Sequence, residues 1–460
     1  MKNNVPHLAI TDADAIHEYV FSPHELRLVR GGSRLQRQLN DEAGALAGRF
    51  DGETIFAGGG TVLAEFPNKT QADAFCREVA ELYRKKTVAA TISAATIAYP
   101  NRDEFARVHA ELRNELERKK QTRPGSGSDG GSPFWVSCEA CGRRPASGLA
   151  PTDKKRICEA CRLREESGQR ERGSAADFQE IGQEAQPENY LAIVYIDVDR
   201  LGNFLQRYAT TKPVYRTLSE KIKNAVRQSV ERGFGGVPKR EELLVGGDDA
   251  IVAVPAQYAI GFLRRFAKHF RAADFSPAPA RPTFSAGLVI AHSHYPIAEF
   301  VRIADDLLKS AKRLKDADAV DFEIVTTSMT GHVVKQRETA DGRERTGRPY
   351  VLGDVPQPRE HEKGRDVESF LELVAAVRGL KQSGAPLSQV KALYQIAYKG
   401  VMQSELEYLD LLSRVEPEVR RKLLRAVGPR LWKQQDGRAF TTAADLVELW
   451  EFIDASETDD

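Results

Sequence analysis

Long apolar runs are the first thing this sequence lacks: no window approaches the roughly 18 uncharged apolar residues of a membrane-spanning helix, which argues against a helical membrane protein. Net charge is nearly absent too. The 67 basic and 66 acidic side chains leave +1 at neutral pH, so no global field draws the chain to nucleic acid, and any such contact has to be local. The opening stretch, MKNNVPHLAITDADAIHEYV, lacks the basic-then-apolar layout and cleavage site of a secretory signal, so the expected location is cytoplasmic. Cysteine is scarce: five in 460 residues, four of them in two Cys-x-x-Cys pairs, a pattern that fits a metal site better than a secreted disulfide framework. Cys76, in the helical-looking ADAFCREVAELY, reads as an ordinary core thiol.

What is present is a globular composition, 41% hydrophobic and 29% charged, long enough for roughly three or four domains. Two polar stretches, QTRPGSGSDGGSP at 121–133 and ESGQRERGSAADFQEIGQEAQPEN at 166–189, read as linkers or mobile loops. They divide an N-terminal unit (1–121), a cysteine insert (134–165) and a third unit (189–330); apolar residues at helical spacing then predict a C-terminal helical bundle over 353–460.

In the third unit YLAIVYID (190–197) reads as a buried strand, followed by helix 201–232, strand 242–245, the turn GGDD at 246–249 and strand 250–255. A helix, a strand, a helix and a last strand (320–326) complete a ferredoxin-like β-α-β-β-α-β order with additions. The first unit repeats the rhythm, with HEYVFS (17–22) as opening strand, helix 24–46 and hairpin 53–66 around AGGGTV, so an internal duplication is expected. The fold class is α+β: two ferredoxin-like palm domains, a four-cysteine zinc insert and a helical bundle.

Asp197 and Asp199 close an apolar strand on one face, and a ferredoxin-like sheet sets that strand beside the GGDD hairpin. Asp197 then meets Asp248 and Asp249, although Asp197 and Asp248 lie 51 positions apart. Such a cluster repels itself unless it binds cations, Mg²⁺ or Mn²⁺ by preference, and two such ions suit attack on phosphorus. Lys312, beside Lys309 and Arg313, is the candidate for a triphosphate; a solvated basic face is the alternative. Gly246 and Gly247 let the catalytic turn fold tightly, and with Asp199 they are candidate nucleotide contacts as well. Gly58 and Gly59 occupy the equivalent carboxylate-free turn, and Ser33 sits in RGGSRL; all three are candidate nucleotide contacts, with a plain turn and a helix kink as alternatives. Cys138, Cys141, Cys158 and Cys161, with 16 residues between the pairs, have the spacing of a closed structural zinc site.

Together EYVFSPHELRLVRGGSRL, IFAGGGTVLAEF, the four-cysteine insert, YIDVDRLGNFL and LLVGGDDAIVAVP resemble the CRISPR-associated polymerase-cyclase family, the large subunit of type III interference complexes. The resemblance implies a nucleotidyltransferase that joins ATP into cyclic or linear oligoadenylate, with the second palm catalytic and the first holding a second ATP. It implies effector subunits and guide or target RNA as partners. Relatives often read Asp-Gly-Asp where Val198 stands here, and often begin with an HD nuclease domain. This sequence has no His-Asp dipeptide, so DNA cleavage by it is not expected. An idle scaffold in an RNA-guided complex and a template-dependent polymerase, with RKLLRAVGPRLWK (421–433) as its basic stretch, are the competing readings.

Overall fold

The computed structural model describes residues 5–122, 135–170, 174–327, 332–337, 342–353, 368–435 and 438–455. The first unit contains β1 (His7–Asp14), α1 (Ile16–Phe21), α2 (Leu26–Leu46), β2 (Glu53–Gly58), β3 (Thr61–Phe66), α3 (Lys69–Thr87), β4 (Thr91–Ala98) and α4 (Phe105–Thr122). The insert follows with β5 (Gly148–Leu149), β6 (Arg156–Ile157) and α5 (Glu159–Ser167), and then comes α6 (Phe178–Gln183). The second palm comprises β7 (Tyr190–Val198), α7 (Leu201–Tyr208), α8 (Lys212–Gly233), β8 (Glu241–Val245), β9 (Asp249–Pro255), α9 (Ala259–Ala272), β10 (Phe284–His292), α10 (Ile297–Ala311) and β11 (Ala319–Val325). After α11 (Val333–Gln336) and β12 (Tyr350–Val351) come α12 (Phe370–Gln382), α13 (Leu387–Ala397), α14 (Val401–Arg414), α15 (Pro417–Ala426), β13 (Lys433–Gln435), β14 (Arg438–Phe440) and α16 (Ala443–Leu449).

The two main sheets have one plan. The first runs β2-β3-β1-β4 and the second contains β8-β9-β7-β10, both with the opening strand between the hairpin and the fourth strand, as in a ferredoxin-like fold. β11, parallel to β10, and β12 widen the second sheet. Alternation along β7 sends Ala192, Val194 and Ile196 into one core and Leu191, Ile193 and Tyr195 into the other, so Asp197 lies on the Tyr195 face. Gly287 in β10 lets α10 lie close: a Cβ there would fall 2.1 Å from the Ala304 carbonyl oxygen. That approach carries the end of α10 to the tip of β7.

Two sequence expectations are corrected here. HEYVFS is not the opening strand; it falls on α1, which turns Tyr19, Val20 and Phe21 inward, and the strand is the preceding HLAITDAD. The polar run 166–189 is not a loose linker where it is described. Ala175 and Ile181 are buried, and the carboxylate of Glu241 in β8 accepts from Ala175 N (2.8 Å) and from Arg30 of α2 (2.6 Å). The Gly/Ser-rich run at 123–133 lies outside the described residues.

The palms are interlocked: α2 of the first packs on β8 of the second, and α8 of the second packs on β2 of the first. Gly31 in RGGSRL serves contact with the insert, since a Cβ there would stand 1.8 Å from the Arg164 carbonyl oxygen of α5. Buried Arg348, just before β12, ties the second palm to the C-terminal helices through Glu323 (3.1 Å) and Asp445 of α16 (3.1 Å).

Candidate functional site

The antiparallel register sets Asp197 directly opposite Asp249 on one side and Ser285 on the other. The loop between β8 and β9 is Gly246-Gly247-Asp248, closed by Gly246 N–H to the Asp249 carbonyl (2.9 Å) and by Val198 N–H to the Asp248 carbonyl (3.0 Å). These bonds hold Asp248 at the end of β7. A Cβ on Gly246 would meet Asp249 Oδ1 at 2.1 Å, so a larger residue there would displace the Asp249 carboxylate.

The carboxylates differ in their partners. Asp199 accepts from Thr283 Oγ1 (2.8 Å) and Ser285 Oγ (2.7 Å) and so is bound into the sheet edge. Asp197 accepts from Lys312 Nζ at 2.5 Å. Asp249 faces His17 of α1, whose Nε2 lies 3.6 Å from Oδ2 and 3.1 Å from the Tyr195 hydroxyl. Burial, with repulsion from Asp249 and Asp197, pushes the Asp248 carboxyl up to about 7. Burial pushes Asp197 up to about 6 against the pull of Lys312, and burial also raises Asp199. The cluster therefore holds its charge poorly without a cation, the electrostatic property expected of a divalent-metal site.

The predicted first-palm residues come to the same place. Ser33, Gly58 and Gly59 line a cavity of about 100 Å³ with His17, Gly246 and Asp249. The two turns touch, for a Cβ on Gly59 would lie 3.1 Å from Gly247 N and 3.8 Å from Asp248 Oδ1. Lys312 is on the other side, lining a separate cavity of about 730 Å³ with Asp199, Arg200, Arg207 and Arg281. Sequence reasoning missed His17 because its segment was read as a strand. The signal available for the first palm was TDAD closing an apolar run, as DVD does in β7.

The four cysteines form one cluster, their sulfurs all within 4.8 Å of one another, and it is the one such group of three or more His, Cys, Asp or Glu side chains among the described residues. Cys141 and Cys158 sulfurs are 3.9 Å apart, close to the edge of a tetrahedron with roughly 2.3 Å Zn–S bonds. The donor set and spacing fit zinc. Cys76 stands apart in α3, where burial pushes its thiol up to about 12.

Residues 190–321 match the Cas10/Cmr2 second palm domain. No curated protein shows significant similarity to the sequence. In fold the chain is similar to Csm1 in T. onnurineus, at TM-score 0.62 and 15% identity over 98% of this chain and 69% of that one. It is similar to a Csm1-Csm4 cassette in complex with AMPPNP, at TM-score 0.60 and 15% identity over 98% and 70% of the two chains. A cassette in complex with cA4 aligns at TM-score 0.58 and 15% identity over the same shares, 98% and 70%. Against the apo cassette the match spans only 53% of that chain. No helix among the described residues is long and apolar enough to cross a membrane.

Proposed function

We propose, from the premise that this chain carries a Cas10/Cmr2 second palm domain at residues 190–321, that it is a nucleotidyltransferase making cyclic or linear oligoadenylate from ATP in CRISPR-linked defence. The observation that carries the reading is the convergence of Asp197, Asp248 and Asp249, with two carboxyls raised by burial and mutual repulsion. In the reaction the 3′-hydroxyl oxygen of one ATP bonds to the α-phosphorus of another, the bond to the β-phosphate oxygen breaks, and pyrophosphate leaves. Asp197, Asp248 and Asp249 would hold two Mg²⁺ or Mn²⁺ ions. Such ions lower the pKa of an attacking hydroxyl and stabilise leaving pyrophosphate. Asp199, fixed by Thr283 and Ser285, keeps the end of β7 rigid. Lys312, paired with Asp197 in this structure, would be the cation available to the triphosphate. Ser33, Gly58 and Gly59 line the side where the second ATP lies.

The four thiolates hold one structural zinc; metal analysis of chelator-washed protein should return one zinc per chain, and well under one refutes this. By analogy with the Csm1-Csm4 cassettes a Csm4-like subunit is a partner; guide or target RNA follows from the family resemblance, and the cytoplasmic location from the sequence reading. The scaffold reading keeps two observations in its favour: Lys312 is already paired with Asp197, and among the described residues only the thiols gather as tightly as a formed metal site. The deciding experiment incubates purified protein with each NTP and Mg²⁺ or Mn²⁺, with and without copurified RNA. Mass spectrometry should find adenylate oligomers and pyrophosphate; no product under any condition leaves the scaffold.

A further inference from the structure

Two amide side chains of the first palm have buried polar atoms for which the fold supplies no hydrogen-bond partner among the described residues. Gln36 and Asn40, one turn apart on α2 and so on one face, are 5% and 6% exposed. Neither Nε2 nor Oε1 of Gln36, nor Oδ1 of Asn40, has a hydrogen-bond partner among the described residues. Buried amides left in this state destabilise a fold, and native ones are usually met by water or a ligand. Both residues line the cavity of about 100 Å³ that also reaches Ser33, Gly59, Gly246 and Asp249. One water needs roughly 10–15 Å³, so the space has room for several waters or for part of a larger ligand.

We propose that Gln36, supported by Asn40, is the hydrogen-bonding edge that reads the adenine of the ATP supplying the attacking hydroxyl. This rests on the proposed nucleotidyltransferase reading and adds to it the residue that selects the base. A carboxamide offers an N–H donor and a carbonyl acceptor side by side, the complement of adenine's N7 and N6 amino group. Guanine turns two acceptors, O6 and N7, to the same edge and leaves the Gln36 oxygen unmet. Asp249 lines the same cavity, so a base held at α2 keeps its ribose beside the carboxylates. Gln36 is a specificity residue; it takes no part in the bond-making step.

The test uses the full chain with Mg²⁺ and α,β-methylene ATP, which cannot release pyrophosphate, in isothermal titration. Wild type should bind two molecules per chain. Gln36→Leu, which keeps side-chain bulk and removes both amide atoms, should retain one site and weaken the other on the order of tenfold to a hundredfold. The wild type should bind the analogue lacking the N6 amino group less tightly at that site, and the variant should lose this discrimination. Gln36→Met is the second variant should Gln36→Leu fold poorly. If either folded variant binds both nucleotides as the wild type does, the amide is met by water and the proposal fails. If the wild type itself binds no adenine nucleotide, the nucleotidyltransferase reading fails with it, an outcome distinguishable because variant and wild type are then equally blank.

Discussion

The two palms correspond position by position at the end of the opening strand and part company at the hairpin turn beside it. In the first, Asp12 pairs in register with Thr61 and Ser93; in the second, Asp197 pairs with Asp249 and Ser285. Ser93 donates to Asp14 (3.1 Å) as Ser285 donates to Asp199. Lys120, at the end of the helix after β4, bonds Asp12, as Lys312 after α10 bonds Asp197. The turns differ in length as well as in composition. Gly59 and Gly60, at φ +60° and +85°, make a two-residue hairpin, whereas Gly246-Gly247-Asp248 is one residue longer and has no residue of positive φ. By register Thr61 stands where Asp249 does, and Asp248 has no counterpart. An Asp-x-Asp strand with its serine and lysine is thus a shared structural unit, and the extra turn residue with its neighbour is what makes one copy a candidate metal site.

The widest gap between the copies should open on removal of carboxylates. Asp248→Ala with Asp249→Ala, and Asp197→Ala alone, should each lower pyrophosphate release on the order of a thousandfold or more. Asp12→Asn, at the register position of Asp197, should leave the rate within about threefold and show its effect in thermal unfolding. Equal losses in both palms would overturn the division of labour. Unchanged turnover in a folded double variant would leave the scaffold.

A second difference is in how the metal-free protein responds to pH. Asp197 and Asp248 hold their protons up to about 6 and about 7, against an unfolded-chain value of roughly 3.9. Between these values the folded state binds protons that the unfolded state has lost, so this stability is full below about pH 4 and disappears as pH rises through 6 and 7. The total is on the order of a few kcal/mol. Metal-free protein should therefore melt lower at pH 8 than at pH 5.5, Asp248→Asn should flatten that slope, and Mg²⁺ should raise the midpoint more at pH 8 than at pH 6. A melting point that does not change with pH in the wild type would contradict the raised carboxyls.

Much of this was legible in the sequence, because apolar runs ending in acidic residues and a tight turn mark a buried strand and its hairpin. β7 and the GGDD hairpin follow that pattern. The opening strand of the first palm was not legible, because two apolar segments compete. HEYVFS has the higher strand propensity, but Ala15 in the left-handed region breaks the strand after Asp14 and starts a helical turn. That error hid Asp12 and Asp14, and with them the correspondence between the palms. The strap at 174–185 reads as a loop because its composition is polar, yet Ala175 and Ile181 are buried, and only the tertiary pair Arg30–Glu241 explains why. Gln36 and Asn40 give no signal in sequence, since amides on a helix are ordinary until burial leaves them without partners.

The first palm should also be the copy that depends on the cysteine insert. Gly31→Ala forces α2 away from Arg164 and should cost about 1–3 kcal/mol, read as a fall in thermal midpoint, because the clash is with backbone. Zinc should be retained, since the thiols are untouched. No loss of stability would mean that α2 and α5 separate freely, and that the insert does not brace the first palm.

The smallest effect tests whether the two turns work as one. Gly59 has φ +60°, so alanine there costs about 1 kcal/mol in backbone alone, and its Cβ would press Gly247 N at 3.1 Å. Gly384, after α12, has nearly the same conformation at φ +72° but open space around a Cβ, so Gly384→Ala carries the backbone cost without the contact. Any excess of Gly59→Ala over Gly384→Ala is the cross-palm contact. Gly247 directly precedes Asp248, so that excess should appear in turnover, as a two- to tenfold fall, more than in melting, where the two variants should differ by well under about 1 kcal/mol. Were turnover and stability to fall alike in both variants, the turns would be neighbours without coupling, and the first palm would act on the second through the nucleotide alone.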